Sequence, residues 1–341
     1  SSTGGVDQTG AVGNIAVSPK GAVSTTVMVG GRSVPMRGSF NDTGKLSSQL
    51  TGKNGAGATV FLQMQTEVTS GGVEVVGTLF DDSGNGGSVT AQKPVKWVAK
   101  INPCPYAGRY NLILPQRANG APHMPTGEGF ASILISATGK VTVSGVLGDG
   151  TPFTAASSVT TAGRIPLQKR LYANKGSLAG VLQIREVPNV SDIDGKLRWV
   201  KPANPKAKLH KEGFDIGVTS LGSFHDPSLR PPLHGLSGVG PWLIHIEFAG
   251  GDFIRRPIGL ESQFSVKGAM ATLKEKVPPQ GQKAFHLIRG TANLTTGSVI
   301  FTYEDKYAKK KVTCRGLIFQ KQGTFTGFLT GKEAMESFVA Y

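Results

Sequence analysis

Short runs of alternating apolar and polar residues, separated by glycine-containing turns, extend through most of this 341-residue chain. The clearest example spans residues 13–40, and residues 129–159 repeat its order of runs and turns. Alternation with a period of two buries one face of a strand and exposes the other, and clustered glycines supply the positive φ of tight hairpins. Each segment therefore predicts a three-stranded antiparallel meander. Helical periodicity is nearly absent.

The two meanders continue in the same way, which indicates one unit present twice. A glycine-punctuated strand pair follows each, and then a tryptophan near Lys and Pro, Trp97 in the first unit and Trp199 in the second. We expect these tryptophans at equivalent core positions. A diverged third unit is predicted at 294–329, where a strand from Ser298 to Tyr303 leads through a basic hairpin tip into a return strand at 312–320 and a final strand at 325–329.

The fold class predicted from these patterns is all-β, with tandem antiparallel meander units that form barrels or sandwiches. The segment between the second and third units is rich in Pro, Gly and His and lacks clear alternation, which is typical of a connector or a long loop. The predicted domains are a first unit at 1–103, a second unit at 104–205, a connector at 206–241 and a third unit at 242–341.

Six short motifs carry a family resemblance. They are YNLILP at 110–115, GEGFA at 127–131, GVLGDGT at 145–151, LY at 171–172 followed by KGSL at 175–178, LRWVKP at 197–202 and GLIFQKQ at 316–322. In these motifs the chain resembles exported β-repeat proteins of unknown function from Verrucomicrobia and related bacterial phyla, well over 100–341 and weakly over the first 100 residues. The resemblance implies export, a surface setting and a structural or binding role without catalytic residues. The pair of cysteines departs from the family pattern.

The chain is strongly basic, with 37 Lys and Arg against 22 acidic residues and a net charge of +15. The excess grows along the chain, from 8 basic against 6 acidic residues in 1–100, to 10 against 5 in 101–200 and 19 against 11 in 201–341. Such a surface attracts polyanions, so anionic glycans are a candidate partner class, although the same charge also serves solubility alone. No apolar run approaches the roughly 18–20 residues of a membrane-spanning helix, and we expect no membrane span. The chain opens without a signal sequence, so a signal peptide is either absent or already removed. We favour removal and expect a secreted or cell-surface protein.

Catalytic motifs are missing from the sequence. It contains no Gly-x-Ser-x-Gly elbow, phosphate loop or dinucleotide fingerprint, and its acidic residues lie mostly in turns, where Asp caps its own backbone. We therefore expect no enzymatic activity and no cofactor. The one hidden alternative is a site in which the connector brings together His210, His225, Asp226 and His234.

No metal site is expected either. Cys104 and Cys314 have no histidines at zinc-ligand spacing, which leaves a long-range disulfide or two thiols as open alternatives. The run from Asp192 through Asp194 to Gly195 is similar to the start of a calcium loop, but it lacks the downstream glutamate.

Exposed aromatic and basic side chains are the candidates for ligand binding. Trp242 has no counterpart in the repeat and is a candidate for stacking on a sugar ring. The third-unit hairpin interleaves aromatic residues with lysines, as a polyanion site would, although a lysine-rich tip also protects sheet edges from aggregation. The complete set is Trp242, Tyr303, Tyr307, Lys309, Lys310 and Lys311.

The function expected from the sequence is that of a secreted structural or adhesive surface protein, non-catalytic and capable of self-assembly. Its partners would be itself or other cell-surface components. The alternatives are a carbohydrate-binding module of an extracellular system and an enzyme with an unrecognised site. Nucleic acid is not an expected partner, because interleaved basic and aromatic residues occur only at one hairpin.

Overall fold

All regular structure in the described part of the chain is β-strand. The computed structural model describes residues 10–341 except 13–14, 30–31, 47–48, 54–58, 70–71, 85, 93–95, 116–124, 126, 208–209, 239, 250–258, 276–284, 306–309 and 331–334. Over these residues no helix has the length and apolarity needed to cross a membrane. The predicted all-β fold class is confirmed, since antiparallel meanders form two eight-stranded sheets and two smaller ones.

The first unit consists of two four-stranded antiparallel sheets. Its strands are β1 Gly10–Val12, β2 Ala16–Val17, β3 Ala22–Val29, β4 Arg32–Ser39, β5 Leu50–Lys53, β6 Thr59–Thr69, β7 Gly72–Asp81 and β8 Gly86–Gln92. Strand β3 pairs with β4 on one side and with β1 and β2 on the other, while the second sheet runs in the order β5-β6-β7-β8. Alternating side chains such as Val27 and Leu62 are fully buried between the sheets.

The second unit is one eight-stranded antiparallel sheet around its own core. Its strands are β9 Gly108–Leu114, β10 Gly129–Ile135, β11 Lys140–Val146, β12 Pro152–Ser158, β13 Arg164–Leu171, β14 Gly176–Val187, β15 Ser191–Lys201 and β16 Phe214–Phe224. The order is β12-β11-β10-β9-β16-β15-β14-β13, so β9 joins the first meander to the last strand. Ile133, Val143 and Leu182 are completely buried in this core.

The third unit is a closed barrel of eight antiparallel strands. They are β17 Trp242–Ala249, β18 Gly259–Lys267, β19 Met270–Glu275, β20 Phe285–Asn293, β21 Ser298–Asp305, β22 Lys310–Phe319, β23 Thr324–Thr330 and β24 Met335–Ala340. Strand β17 closes the barrel by pairing with both β18 and β24. The interior is aromatic, with Phe264, Phe301 and Phe325 at its centre. Strands β21, β22 and β23 coincide with the three strands predicted between 298 and 329.

Two backbone hydrogen bonds recur at the same corners of all three units. The first joins the residue after a meander to the preceding hairpin turn, in the pairs Phe40 N to Gly21 O, Val159 N to Gly139 O and Leu294 N to Ala269 O, at 2.9, 3.0 and 2.8 Å. The second joins the next turn to a following strand, in the pairs Thr66 N to Gly44 O, Ile184 N to Gly163 O and Ile318 N to Gly297 O, at 2.8, 2.8 and 2.7 Å. The three units therefore turn their strands by the same local device.

Two expectations from the sequence are wrong. The segment predicted as a connector contains β16, whose residues Phe214, Ile216 and Val218 point into the core of the second unit. Trp97 and Trp199 are not equivalent. Trp199 lies within β15 and is 4% exposed, whereas Trp97 follows β8 outside any strand and packs against the second unit, where its side chain covers the turn at Gly139.

Candidate functional site

The aromatic candidates for ligand binding belong largely to the third core. Tyr303 is 1% exposed and its ring lies 4.9 Å from that of Phe248, so the interpretation of Tyr303 as a surface ligand contact is wrong. Trp242 is half-buried, its ring packs beside Phe264, and its Nε1 donates to the carbonyl of Ser237 at 2.9 Å. The indole of Trp242 is therefore partly covered by the third core, and its role in stacking on a sugar ring stays a prediction.

The basic hairpin is described only in part. Lys311 is exposed near the start of β22, and Lys310 stands opposite Asp305 in the ladder of β21 and β22. Tyr307 and Lys309 lie outside the described residues. A polyanion site at this hairpin stays a prediction.

The four connector residues considered as a hidden site do not converge. His225 is 2% exposed and faces the third barrel, while His234 is exposed and its amide donates to the carbonyl of Gln320. His210 packs against Phe214 at the far end of β16. Asp226 follows His225 and accepts two hydrogen bonds from Ser228, which lower the pKa of its carboxyl group. Within the described residues no group of three or more His, Cys, Asp or Glu side chains is placed to hold a metal ion.

The cysteines and the calcium-like run have structural partners instead. Cys104 lies in the core of the second unit and Cys314 in the core of the third, and they form no disulfide. Burial raises the pKa of the Cys104 thiol. Asp192 binds Lys321 at 2.5 Å and Asp194 forms a two-bond pair with Arg185, so both carboxylates already neutralise a cation.

A polar junction joins the second unit to the third barrel. Its contacts are Asn111 Nδ2 to the Ile318 carbonyl at 2.8 Å, His225 Nε2 with the Leu294 carbonyl at 2.7 Å, the Asp226 amide to Gln320 Oε1 at 2.7 Å, Gln320 Nε2 to the Asp226 carbonyl at 2.9 Å, Gln322 Nε2 to the Val190 carbonyl at 2.5 Å, and the ion pair of Lys321 with Asp192. The rings of Phe130 and Phe328 add an apolar contact at 5.8 Å. Side chains that bond backbone carbonyls fix register as well as distance, so this junction sets how the two units meet.

Protonation matters at two points of the junction. Because Nε2 of His225 meets a carbonyl, it carries the proton, and burial lowers the pKa of the imidazole so that the neutral ring is favoured. Burial raises the pKa of Glu128, whose carboxyl group contacts the Thr326 hydroxyl. That hydroxyl also lies 2.6 Å from the carbonyl of Phe338. A hydroxyl has one hydrogen, so both contacts are satisfied together when Glu128 is protonated and donates.

A buried ionic network lies at one end of the second unit. Asp149 Oδ2 accepts from Lys201 Nζ at 2.8 Å and from the Tyr172 hydroxyl at 2.7 Å, and Thr151 donates its amide to Oδ1. The Asp149 and Lys201 side chains are 0% and 9% exposed. Burial alone would raise the pKa of Asp149, but the hydrogen bond and charge of Lys201 outweigh it and hold that pKa below its usual value. Trp199 Nε1 donates to the Tyr172 hydroxyl at 2.9 Å, which ties the network to the core.

An apolar cavity of about 410 Å³ lies beside this network, lined by described residues of β9, β14, β15 and β16 and of neighbouring turns. Its wall includes Leu114, Leu147, Leu178, Trp199, Ile216 and Val218. No local pattern in the sequence predicts this cavity, because its lining residues come from separate strands and turns whose alternation only indicates burial.

The first unit has a sheet edge, at β8, with which no described strand pairs. Strand β8 is the last strand of its sheet, whereas β16 and β24, the last strands of the other units, pair with β9 and β17. Among the described residues of the first unit, no strand pairs with the outer side of β8 as β9 pairs with β16 and β17 with β24. Val75, Leu79 and Val89 on the inner face near this edge are only partly buried.

The fold thus defines an all-β protein of three strand units that share two corner hydrogen bonds, with one closed barrel, one eight-stranded sheet and one unit with an open edge. No family model, curated protein or solved structure matches the chain.

Proposed function

We propose that this chain is a secreted structural or adhesive surface protein that acts without catalysis and assembles with further copies through the first unit. The observation that carries the proposal is the edge at β8, Gly86–Gln92. Exported β-repeat proteins, which the chain resembles in its motifs, give the setting. The shared corner bonds support an origin of the three units by tandem duplication.

The β8 edge lacks the residues that natural proteins use to keep sheet edges apart. It reads GGSVTAQ, with no charged residue and no proline. The two edge strands of the second unit, β12 and β13, do carry such residues, since Pro152 begins β12 while β13 contains Arg164 and Pro166. Lysine, arginine and proline at an edge discourage pairing with another chain. The β8 edge is therefore the one most open to strand addition among these three.

A second copy supplies a suitable partner for β8 at the opposite edge of the same unit. Among the described strands, β1 and β2 pair only with β3. Pairing β8 of one copy with that edge of the next is a heterologous contact, and heterologous contacts that do not close into a ring give open filaments. The strand added would also cover Leu79 and Val89, whose partial exposure is unfavourable.

Surface charge gives the adhesive part of the proposal. A filament built of chains with net charge +15 presents a repeated basic surface, which attracts anionic glycans at low salt. Binding should be strongest for polyanions and should weaken as salt rises. Titration with an anionic and a neutral glycan at two salt concentrations tests this part, and equal binding of the neutral glycan at both would contradict it.

The assembly is tested by adding lysines to the edge. The variant Ser88→Lys with Thr90→Lys places two charges on exposed positions of β8. The control Thr142→Lys with Ser144→Lys places the same charges on exposed positions of β11, which is paired with a strand on each side. Electron microscopy and sedimentation of purified protein should show filaments for the parent and the control and monomers for the edge variant. A parent that stays monomeric at every concentration, or an edge variant that still forms filaments, refutes the proposal.

A further inference from the structure

Four neighbouring strands of the third barrel, β19 to β22, share one outer face. Thr272 stands opposite Thr291 in the ladder of β19 and β20. Thr291 stands opposite Ile300, and Ile300 stands opposite Arg315, so one row of side chains crosses all four strands. Residues two positions further along each strand form a second row on the same face, because side chains alternate between the two faces of a strand. The two rows together, the β19–β22 face, are Thr272, Lys274, Arg289, Thr291, Ile300, Thr302, Thr313 and Arg315.

This face is open to solvent. All eight side chains are exposed or half-buried, and Ile300, in the first row, is 43% exposed. The residues between them, such as Leu273, Phe301 and Cys314, point into the barrel and are buried in its core. The core therefore uses the inner row of each strand and leaves the outer rows for contacts with a partner.

The β19–β22 face carries three cations and no acid. Within the described part of the chain, no residue forms an ion pair or a hydrogen bond with the side chain of Lys274, Arg289 or Arg315. The pair of Leu273 with Gly290 in the ladder makes Lys274 and Arg289 neighbours across β19 and β20. Like charges at neighbouring positions of a sheet repel, and an anion bound between them removes that repulsion.

Other cations on the outer surfaces have an acid beside them in the same sheet. In the second unit Arg198 forms two hydrogen bonds with Asp215, at 2.7 and 2.6 Å. At the basic hairpin the ladder places Lys311 opposite Glu304, which also bounds the β19–β22 face two residues beyond Thr302. The ladders of the face itself offer its three cations no carboxylate, so the counter-charge must come from a ligand.

The uncharged residues of the face favour a glycan as that ligand. Ile300 and the threonine methyl groups provide an apolar surface for the C–H groups of a sugar ring, and the threonine hydroxyls match sugar hydroxyls. The hydroxyls of Thr302 and Thr313 lie 3.2 Å apart and hydrogen-bond to each other, so they are ordered before a ligand binds. None of the eight residues is aromatic, whereas proteins that bind single-stranded nucleic acid stack its bases on aromatic side chains.

We propose that the β19–β22 face binds an anionic glycan chain, with oxyanion groups at Lys274, Arg289 and Arg315 and a sugar ring over Ile300. The two arginines suit this role, because a guanidinium binds an oxyanion through two parallel hydrogen bonds. The site rests on the proposed function, in which a polyanion is the adhesive partner, and it lies in a different unit from the β8 edge.

Removal of the three cations is the first test. The control removes the same charge from exposed positions of the second unit. Polygalacturonate and dextran sulfate are the anionic probes, and methyl-esterified polygalacturonate and dextran are their neutral counterparts. The face variant is Lys274→Gln with Arg289→Gln and Arg315→Gln, and the control variant is Lys140→Gln with Arg164→Gln and Lys196→Gln.

The binding is measured by calorimetry at about 0.1 M salt, where the screening length is about 10 Å. We expect the face variant to bind the anionic glycans at least about tenfold more weakly, which corresponds to about 1.4 kcal/mol. The control variant should change the affinity less than about threefold, because charges on another unit act only through the screened long-range field. The neutral counterparts should not bind.

A single acid within the face gives a second, matched comparison. Ile300→Glu places a carboxylate opposite Arg315, where it competes with the glycan for the guanidinium. Val181→Glu adds the same charge at an apolar position of β14 that is similarly exposed, at 48% against 43%. Ile300→Glu should weaken binding at least about tenfold and Val181→Glu less than about threefold. Circular dichroism checks that every variant folds.

Methyl-labelled parent protein locates the glycan without a variant. A short oligogalacturonate should shift the methyl signals of Ile300 and leave those of Val181 unchanged. If the parent binds neither anionic glycan, both this site and the adhesive part of the proposed function are wrong. If the parent binds but both face variants bind as tightly as their controls, polyanion binding stands and the β19–β22 face is not its site. Polyadenylate that binds more tightly than the glycans and is lost in the face variant would assign the face to nucleic acid and overturn the proposal.

Discussion

Removing the cation from the buried network should destabilise the second unit strongly and reverse its response to acid. In Lys201→Met the Asp149 carboxylate keeps the Tyr172 hydroxyl and the Thr151 amide but loses its only described counter-ion. Breaking a buried pair by removing one partner costs about 3–5 kcal/mol, because a desolvated charge remains. We expect about 3 kcal/mol, the lower end, because two hydrogen bonds to Asp149 survive.

The pH dependence gives the sharper test. In the parent, Lys201 holds the pKa of Asp149 below its unfolded value, so the carboxylate contributes stability above the unfolded pKa and that contribution is lost as the pH falls through the folded pKa. Without Lys201 the effect of burial dominates and raises this pKa. The variant should then gain stability as the pH falls, because its folded state takes up a proton that the unfolded chain does not yet bind.

The assay is urea unfolding at about pH 7 and about pH 4, a range that includes the titration of a carboxyl group with a raised pKa. Unfolding is followed by the fluorescence of Trp199, in a background in which Trp97→Phe and Trp242→Phe leave it as the sole tryptophan. The double variant Asp149→Asn with Lys201→Met removes both charges and should recover to within about 1 kcal/mol of the parent at neutral pH. A loss below about 1 kcal/mol in Lys201→Met, or a loss that does not shrink on acidification, would refute the reasoning.

Three further outcomes follow from local geometry. Glu128→Gln keeps a donor for the Thr326 hydroxyl without a buried charge, so it should raise stability at neutral pH and change little under acid, as urea titrations at both pH values would show. Gly139→Ala should cost clearly more in thermal unfolding than Gly268→Ala. Both glycines have positive φ, a conformation that costs alanine about 1–2 kcal/mol. Only at Gly139 would the added Cβ also stand 2.2 Å from a carbon of the Trp97 indole. Cys104 should react with a thiol reagent only after unfolding, since it is 3% exposed and its pKa is raised; rapid labelling of native protein would contradict this.

Alternation allowed much of the strand pattern to be predicted. Strand β11 reads KVTVSGV, and Val141 and Val143 are buried while Thr142 and Ser144 are exposed, as a period of two requires. The strand β16 escaped prediction because its inward positions change from Phe214, Ile216 and Val218 to the small residues Ser220 and Gly222. Gly222 is required there, since a Cβ would stand 2.1 Å from the carbonyl oxygen of Asn111. Small inward residues break the apolar pattern at the place where strands pack closest.

The candidate sites depended on pairings that no local pattern encodes. Asp149 and Lys201 are 52 residues apart and meet only because the turn after β11 and the end of β15 reach the same end of the sheet. Trp97 was misplaced for a related reason. The sequence neighbours of Trp97 resemble those of Trp199 and therefore predict an equivalent core position. The chain, however, leaves the first unit before Trp97, and the indole covers a turn of the next unit.

The motifs behind the family resemblance divide between two places in the structure. Asn111, Glu128 and Gln320, from three of them, lie at the junction of the second and third units. Asp149 and Lys201, from two others, form the ionic network with the motif tyrosine and tryptophan. Both places fix strand ends and unit orientation, and in neither do side chains converge on an open catalytic pocket. The motif residues therefore have structural partners of their own, at the junction and in the ionic network, and the β8 edge on which the proposed assembly depends lies outside all six motifs.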